Sequence, residues 1–212
     1  MFASDRHLVL LEPNLFSDVA FFGKRLVPQG ACSVSGTTLT ISGVDFAALG
    51  IAAGNVVLLD GVPLEVIARL NATQLTVSRL RAAPSEATIT PPSGSSASIF
   101  TFRHQIVAAH EQLLGMIGIG AAALPGESVL TELRITNAEA LWRLEALLTL
   151  RDLYRSLVTR AGGDTAPWAA RANFYAKRFD AERQRTFAAI DTDGDGVADV
   201  ARYFNMVRTV RG

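Results

Sequence analysis

The chain contains one cysteine, Cys32, among its 212 residues, so no internal disulfide can form and folding requires no oxidising compartment. A lone thiol of this kind is most simply a small core residue. An excess of either charge is also missing, because 20 basic and 20 acidic residues cancel. A protein that reads nucleic acid directly would carry a basic excess or stripe, so that class is disfavoured. Long apolar runs are absent too. The nearest approach, residues 113–124, is short, rich in Gly and Ala, and flanked by Glu111 and Pro125, and it predicts no membrane span. The opening residues Met1 to His7 carry an acid early, and the apolar run after them is broken by Glu12 and Pro13. They fit no signal peptide, and secretion is not expected.

Catalytic signatures are scarce in the same way. The serines sit in turns and in a linker-like stretch without a Gly-x-Ser-x-Gly elbow, and Cys32 has no histidine beside it in sequence. Gly118-Ile119-Gly120 imitates a dinucleotide fingerprint but follows a helical pattern rather than a strand, so phosphate-cradling geometry is not expected. There is no phosphate-binding lysine loop and no zinc-ligand spacing. His104 and His110 are six positions apart on a helical pattern, with no third ligand nearby, and read as surface or packing residues.

What is present is a globular composition, 49% apolar and 19% charged, in two different textures that meet near residue 95. Before it, Val, Ile, Leu and Thr recur in short runs separated by Gly, Asn and Asp, predicting strands over 37–41, 55–59, 64–68 and 74–80. Asp60-Gly61 between two such runs predicts a type I′ hairpin, and Pro63 then fits only near a strand's start or on an edge. Asn71-Ala72-Thr73 reads as a turn. The expected core is Leu39, Ile41, Val57, Leu59, Val66, Ile67, Leu75 and Val77, in a small antiparallel β-barrel or sandwich. Residues 91–98, Pro-Pro-Ser-Gly-Ser-Ser-Ala-Ser, have the composition of a linker. The chain therefore reads as α+β, with a β-rich module over 1–95 and a helical domain over 96–212.

In the second half the apolar period changes to three and four. Phe102, Ile106, His110, Leu113 and Ile117 share one face of a first helix that Gly118 and Gly120 stop. Thr136 and Glu139 match a capping box for a helix that carries Leu141, Leu144, Leu148 and Tyr154 and runs to about Arg160. Ala161-Gly162-Gly163 supplies a stop, Asp164 or Thr165 a cap, and Pro167 a first-turn proline. Trp168, Ala172, Tyr175, Phe179, Thr186 and Ile190 then continue a helical stripe, which is either core or a partner-binding face.

Residues 191–199, Asp-Thr-Asp-Gly-Asp-Gly-Val-Ala-Asp, are the most specific pattern in the chain. A hard cation such as Ca²⁺ takes six to eight oxygens, supplied in an EF-hand loop by acids at positions one, three and five, a glycine at six and a backbone carbonyl at seven. Here these are Asp191, Asp193, Asp195, Gly196 and Val197, with Asp199 at position nine. Position twelve is Arg202 rather than Glu, so the pattern is a shortened loop and not a full EF-hand. Its two readings are a calcium staple and a metal-free Asp/Gly turn. Residues 200–212 follow, mixing aromatic, β-branched and basic side chains without a cap or an acid, and read as an extended arm or a frayed tail. In the first case Arg202, Tyr203, Phe204, Val207, Arg208 and Arg211 are its partner-binding residues.

Taken together, residues 142–154, residues 172–179 and the Asp loop give the chain an arrangement that resembles head-to-tail adaptor (connector) proteins of tailed bacteriophages and related prophages. The helical half, about 102–212, carries the resemblance, and the β-module is an addition that smaller adaptors lack. The resemblance implies a helical bundle with an extended C-terminal arm and a non-enzymatic virion component assembled in the bacterial host cytoplasm. It also implies a homo-oligomeric ring under the portal protein, with the arms gripping the portal. A tail-side connector or tail terminator protein stands on the ring's other side, DNA is only the content of the lumen, and no membrane is involved. Two further classes stay open beside it: a calcium-dependent binding module on a bacterial surface, resting on the same Asp loop, and an enzyme whose site has no recognisable motif.

Overall fold

The computed structural model describes residues 1–120, 130–160 and 165–204. The chain is α+β: a curled antiparallel seven-stranded half-barrel sheet accompanied by several helices. It divides into two compact units, one of Ser4–His104 and one that joins Met1–Ala3 to Gln105–Gly212. No helix of the described residues is long and apolar enough to cross a membrane.

The first unit opens with two short helices, α1 (Asp5–Leu11) and α2 (Leu15–Asp18), and a 3₁₀ turn at Ala20–Phe22. Seven strands follow: β1 (Lys24–Ala31), β2 (Ser33–Ser35), β3 (Thr38–Thr40), β4 (Val56–Leu59), β5 (Val62–Arg69), β6 (Gln74–Arg79) and β7 (Ser96–Thr101). Their order in the sheet is β1-β7-β4-β5-β6-β3-β2. β1 and β2 stand at opposite edges yet are separated in sequence by Cys32 alone. One edge can run into the other through a single residue only if the sheet curls back on itself, which is the origin of the half-barrel.

Inside the curl sit Leu39, Ile41, Val57, Leu59, Val66, Leu75 and Val77, joined by Val27, Phe46, Ile51, Leu64, Ala97 and Ile99. Ile67 is only half-buried, because it follows core-facing Val66 in β5 and alternation turns it to the other face of the sheet. The Asp60-Gly61 hairpin forms with both φ angles positive, 45° and 84°. Pro63 lies on the β4 side of β5, before the pairing with β6 begins at Leu64, so its missing N–H leaves no gap in that second ladder.

The stretch expected to be a linker differs. Ser96 to Ser98 are the first half of β7, which pairs with both β1 and β4, and the division between units falls later, between His104 and Gln105. Alternation explains it: Ala97 and Ile99 face the core while Ser96 and Ser98 lie on the other face.

In the second unit α3 (Arg103–Met116), most of which lies here, buries Ile106, Ala109, His110 and Leu113, and Gly118 and Gly120 follow it with positive φ. Two 3₁₀ turns, Glu132–Arg134 and Ala138–Ala140, precede α4 (Trp142–Arg160) and α5 (Ala166–Arg185). α4 and α5 pack together through aromatic rings: Tyr154 and Tyr175 stack with centroids 5.7 Å apart and planes within 2°, and Trp168 lies 6.0 Å from Tyr154 on a near-parallel plane. Arg171 donates to the Tyr154 hydroxyl at 3.0 Å, satisfying the polar end of a fully buried ring.

Thr136 does not cap α4. Its N–H and hydroxyl both donate to the Ala189 carbonyl, and the helix starts only at Trp142. The expected helical stripe also ends early. Thr186 turns to extended backbone, and β8 (Phe187–Ile190) pairs antiparallel with β9 (Val200–Tyr203). The residues expected to stop α4, 161–163, lie outside the described residues, as does Asp164, and Thr165 takes the N-cap position of α5.

Candidate functional site

The Asp loop is the connection between β8 and β9, not the end of a helix. Hairpin pairing closes it: Ile190 opposes Val200, and Asp199 N–H donates to the Ile190 carbonyl at 2.9 Å. Within it, carboxylate oxygens of Asp191, Asp193 and Asp195 lie within 4.8 Å of one another. Among the described residues this is the one group of three or more acidic, histidine or cysteine side chains with such a spacing.

Backbone amides organise these carboxylates. Asp191 accepts from the N–H of Gly194 and, at 2.9 Å, of Gly196. Asp193 accepts from Asp195 N–H at 3.2 Å, and Asp195 from Val197 N–H at 2.7 Å. Both glycines carry positive φ, 92° and 87°, which lets the chain turn twice around the Asp191 carboxylate. Burial pushes the Asp191 carboxyl up, but the two glycine amides and the Arg134 guanidinium outweigh it and hold it below the usual carboxylate range. Three carboxylates converging on one point are suited to a hard cation.

Asp199 is placed differently from its three neighbours. Its carboxylate accepts from both the N–H and the hydroxyl of Thr192 at 2.7 Å, and these bonds hold it ionised. It therefore ties the start of the loop to its end. Val197 is largely exposed.

The C-terminal residues divide three ways. Arg202 donates to the Ile117 carbonyl at 2.6 Å, so its charge caps the chain beyond α3. Phe204 is buried and belongs to the core of its unit. Tyr203 is 41% exposed and pairs across the hairpin with Phe187, itself 40% exposed, ring centroids 5.7 Å apart. Val207, Arg208 and Arg211 lie outside the described residues.

Sequence reasoning passed over three groups of buried charge. In the first unit, fully buried Glu65 is shared by Arg6 and Arg81, whose guanidinium groups also bond the carbonyls of Arg81 and of Pro84 and Glu86. Asp5, buried as well, accepts from Phe102 N–H at 2.8 Å and Asn55 Nδ2 at 3.0 Å, and burial pushes its carboxyl up to about 6. In the second unit His110 lies between Glu145 and Glu132. Positions so far apart in the chain leave no local pattern to read. Cys32 is half-buried, and burial followed by the charge of Asp60 pushes its thiol up, against service as a thiolate nucleophile.

No family model, no curated protein and no solved structure matches this chain.

Proposed function

We propose that the chain is a structural virion component, a head-to-tail adaptor whose copies form a ring between the portal protein and the tail of a bacteriophage particle. In this reading α3, α4 and α5 are the adaptor's helical bundle, and the residues after Phe204, with Val207, Arg208 and Arg211, are the arm that grips the portal. The observation that supports it best is the set of large apolar side chains that the second unit leaves in solvent. Phe174, Phe187, Tyr203, Val200 and, at 94% exposed, Leu133 offer apolar area that a neighbouring chain can cover. A ring supplies such neighbours on every copy and makes a weak arm contact multivalent. The partners are then the portal, a tail-side connector or terminator protein, and further copies of this chain, and the place of action is the virion.

The converging carboxylates of Asp191, Asp193 and Asp195 favour a second reading, a calcium-dependent binding module, in which the β8–β9 loop presents its surface only when loaded.

Co-sedimentation with the portal of the same particle tests the first reading, using the full chain and a variant lacking residues 205–212. Buried Phe204 is kept, so that truncation leaves the core intact. The full chain is expected to join the portal and the shortened one to stay behind. Equal binding by both would move the contact to the helical faces, and binding by neither would overturn the adaptor reading.

A further inference from the structure

The first three residues fold with the second unit, not with the residues that follow them. A single carboxylate holds them. Glu145, on α4, is fully buried; its Oε2 accepts the Phe2 N–H and its Oε1 the Ala3 N–H, each at 3.1 Å. His110, on α3, is the third partner, with Nδ1 2.8 Å from Glu145 Oε2. The other ring nitrogen, Nε2, lies 3.0 Å from Glu132 Oε2 in a contact bent out of hydrogen-bond alignment. Phe2 closes the arrangement, its ring edge-on to the imidazole with centroids 4.7 Å apart.

A buried carboxylate is tolerated only when its charge is compensated. Two backbone amides supply part of that here, and the imidazole supplies the rest. The neutral ring has one N–H and one lone pair, whereas two carboxylates face its two nitrogens. With the proton on Nδ1, the Nε2 lone pair confronts Glu132; with it on Nε2, a lone pair confronts the buried Glu145. Only the imidazolium satisfies both.

We propose that His110 is a proton-operated latch, which as imidazolium bridges Glu145 and Glu132 and closes residues 1–3 onto the helical unit as a strap, and as neutral imidazole releases it. The charged groups facing the ring are Glu145 from α4, Glu132 from its 3₁₀ turn and the Met1 ammonium, which stands 2.6 Å from Glu132 Oε1. Burial draws the imidazole's pKa down, but its hydrogen bond to Glu145, its close contact with Glu132 and the charge of Glu145 outweigh burial, so the net displacement from 6.5 is upward. Glu132 moves the other way: burial raises it, and its bond to the ammonium and its close contact with His110 prevail and bring it below 4.5.

The signs define a window. The imidazolium's contribution is complete below 6.5 and is lost as pH rises through the raised value, while that of Glu132 is complete above 4.5 and is lost as pH falls through the lowered one. The strap is tightest between those limits and opens on the alkaline side first.

The test is NMR on the full chain, following the His110 ring resonances and the exchange protection of the Phe2 and Ala3 amides across pH, corrected for intrinsic exchange. Protection is expected to fall as His110 loses its proton, by about tenfold for every unit by which His110 titrates above an exposed histidine, since closure and protonation are linked reciprocally. Amides of β4 and β5 should keep theirs. His110→Gln, which does not titrate, should erase the step. Protection that stays flat through the His110 titration, that falls at some other pH, or that still steps in His110→Gln would overturn the latch.

Discussion

Arg134 Nη1 lies 3.6 Å from Asp191 Oδ2, so the loop's most enclosed carboxylate already has a cation of the protein's own beside it. The backbone reinforces the placement, because Asp191 N–H donates to the Arg134 carbonyl at 2.9 Å. A divalent ion entering the loop would meet that guanidinium at close range and be repelled by it. Isothermal calorimetry is expected to show calcium binding that strengthens severalfold in Arg134→Gln and is lost in Asp193→Asn combined with Asp195→Asn. Absence of calcium heat in both wild type and Arg134→Gln would reduce the loop to a turn.

The two loop glycines should respond differently to a methyl group. At both, an alanine meets a left-handed backbone, a strain of roughly 1–2 kcal/mol. At Gly194 the added Cβ also collides with the Arg134 guanidinium, whereas at Gly196 it meets nothing within 4 Å. Thermal unfolding should therefore show Gly196→Ala destabilised by strain alone. In Gly194→Ala the Arg134 pairing is lost as well, so adding Arg134→Gln should cost almost nothing further. Full additivity of those two changes would contradict the placement of the guanidinium.

Asp5 gives the β unit its own pH dependence. Its folded pKa is raised from 3.8 to about 6, so folding favours the protonated acid. That contribution is complete below 3.8 and is lost as pH rises through about 6, amounting to roughly 3 kcal/mol less stability at neutral pH than in acid from this group alone. Asp5→Asn keeps an acceptor for Phe102 N–H and removes the charge. Urea unfolding between pH 4 and 7 should lose this slope in the variant, while an unchanged slope would place it elsewhere.

Glu65 is the sole carboxylate bonded to both Arg6 and Arg81, each almost fully buried. Glu65→Gln leaves two buried guanidinium groups facing a neutral amide, an imbalance of about 3–5 kcal/mol. Loss of the β-sheet signal at lower urea is the expected outcome, and a shift of less than 1 kcal/mol would show water reaching the pair.

Legibility in the sequence followed how local each cause was. The Asp60-Gly61 hairpin was readable because two adjacent residues set its φ angles, and the α3 stripe because its period lies within one element. β7 was hidden by small residues: Ser96 and Ser98 mimic a linker, while Ala97 and Ile99 on the opposite face fill the core. β1 was hidden by register shifts between Arg25 and Val27 and between Val27 and Gly30, which destroy a period of two. Phe187 to Ile190 continue the helical spacing of α5, and pairing with β9, not propensity, makes them a strand. Of the Asp loop, the convergence of Asp191, Asp193 and Asp195 follows from their alternation, but the diversion of Asp199 to Thr192 does not. The His110 cluster joins Phe2 and Ala3 to residues more than 100 positions further along, His110, Glu132 and Glu145, which no window could join.

Negative-stain imaging of the purified chain mixed with the portal of the same particle tests the adaptor reading most directly. The account predicts rings of this chain stacked coaxially on the portal, with density from each copy reaching onto it. Portal rings standing bare among dispersed single copies of the chain would contradict it.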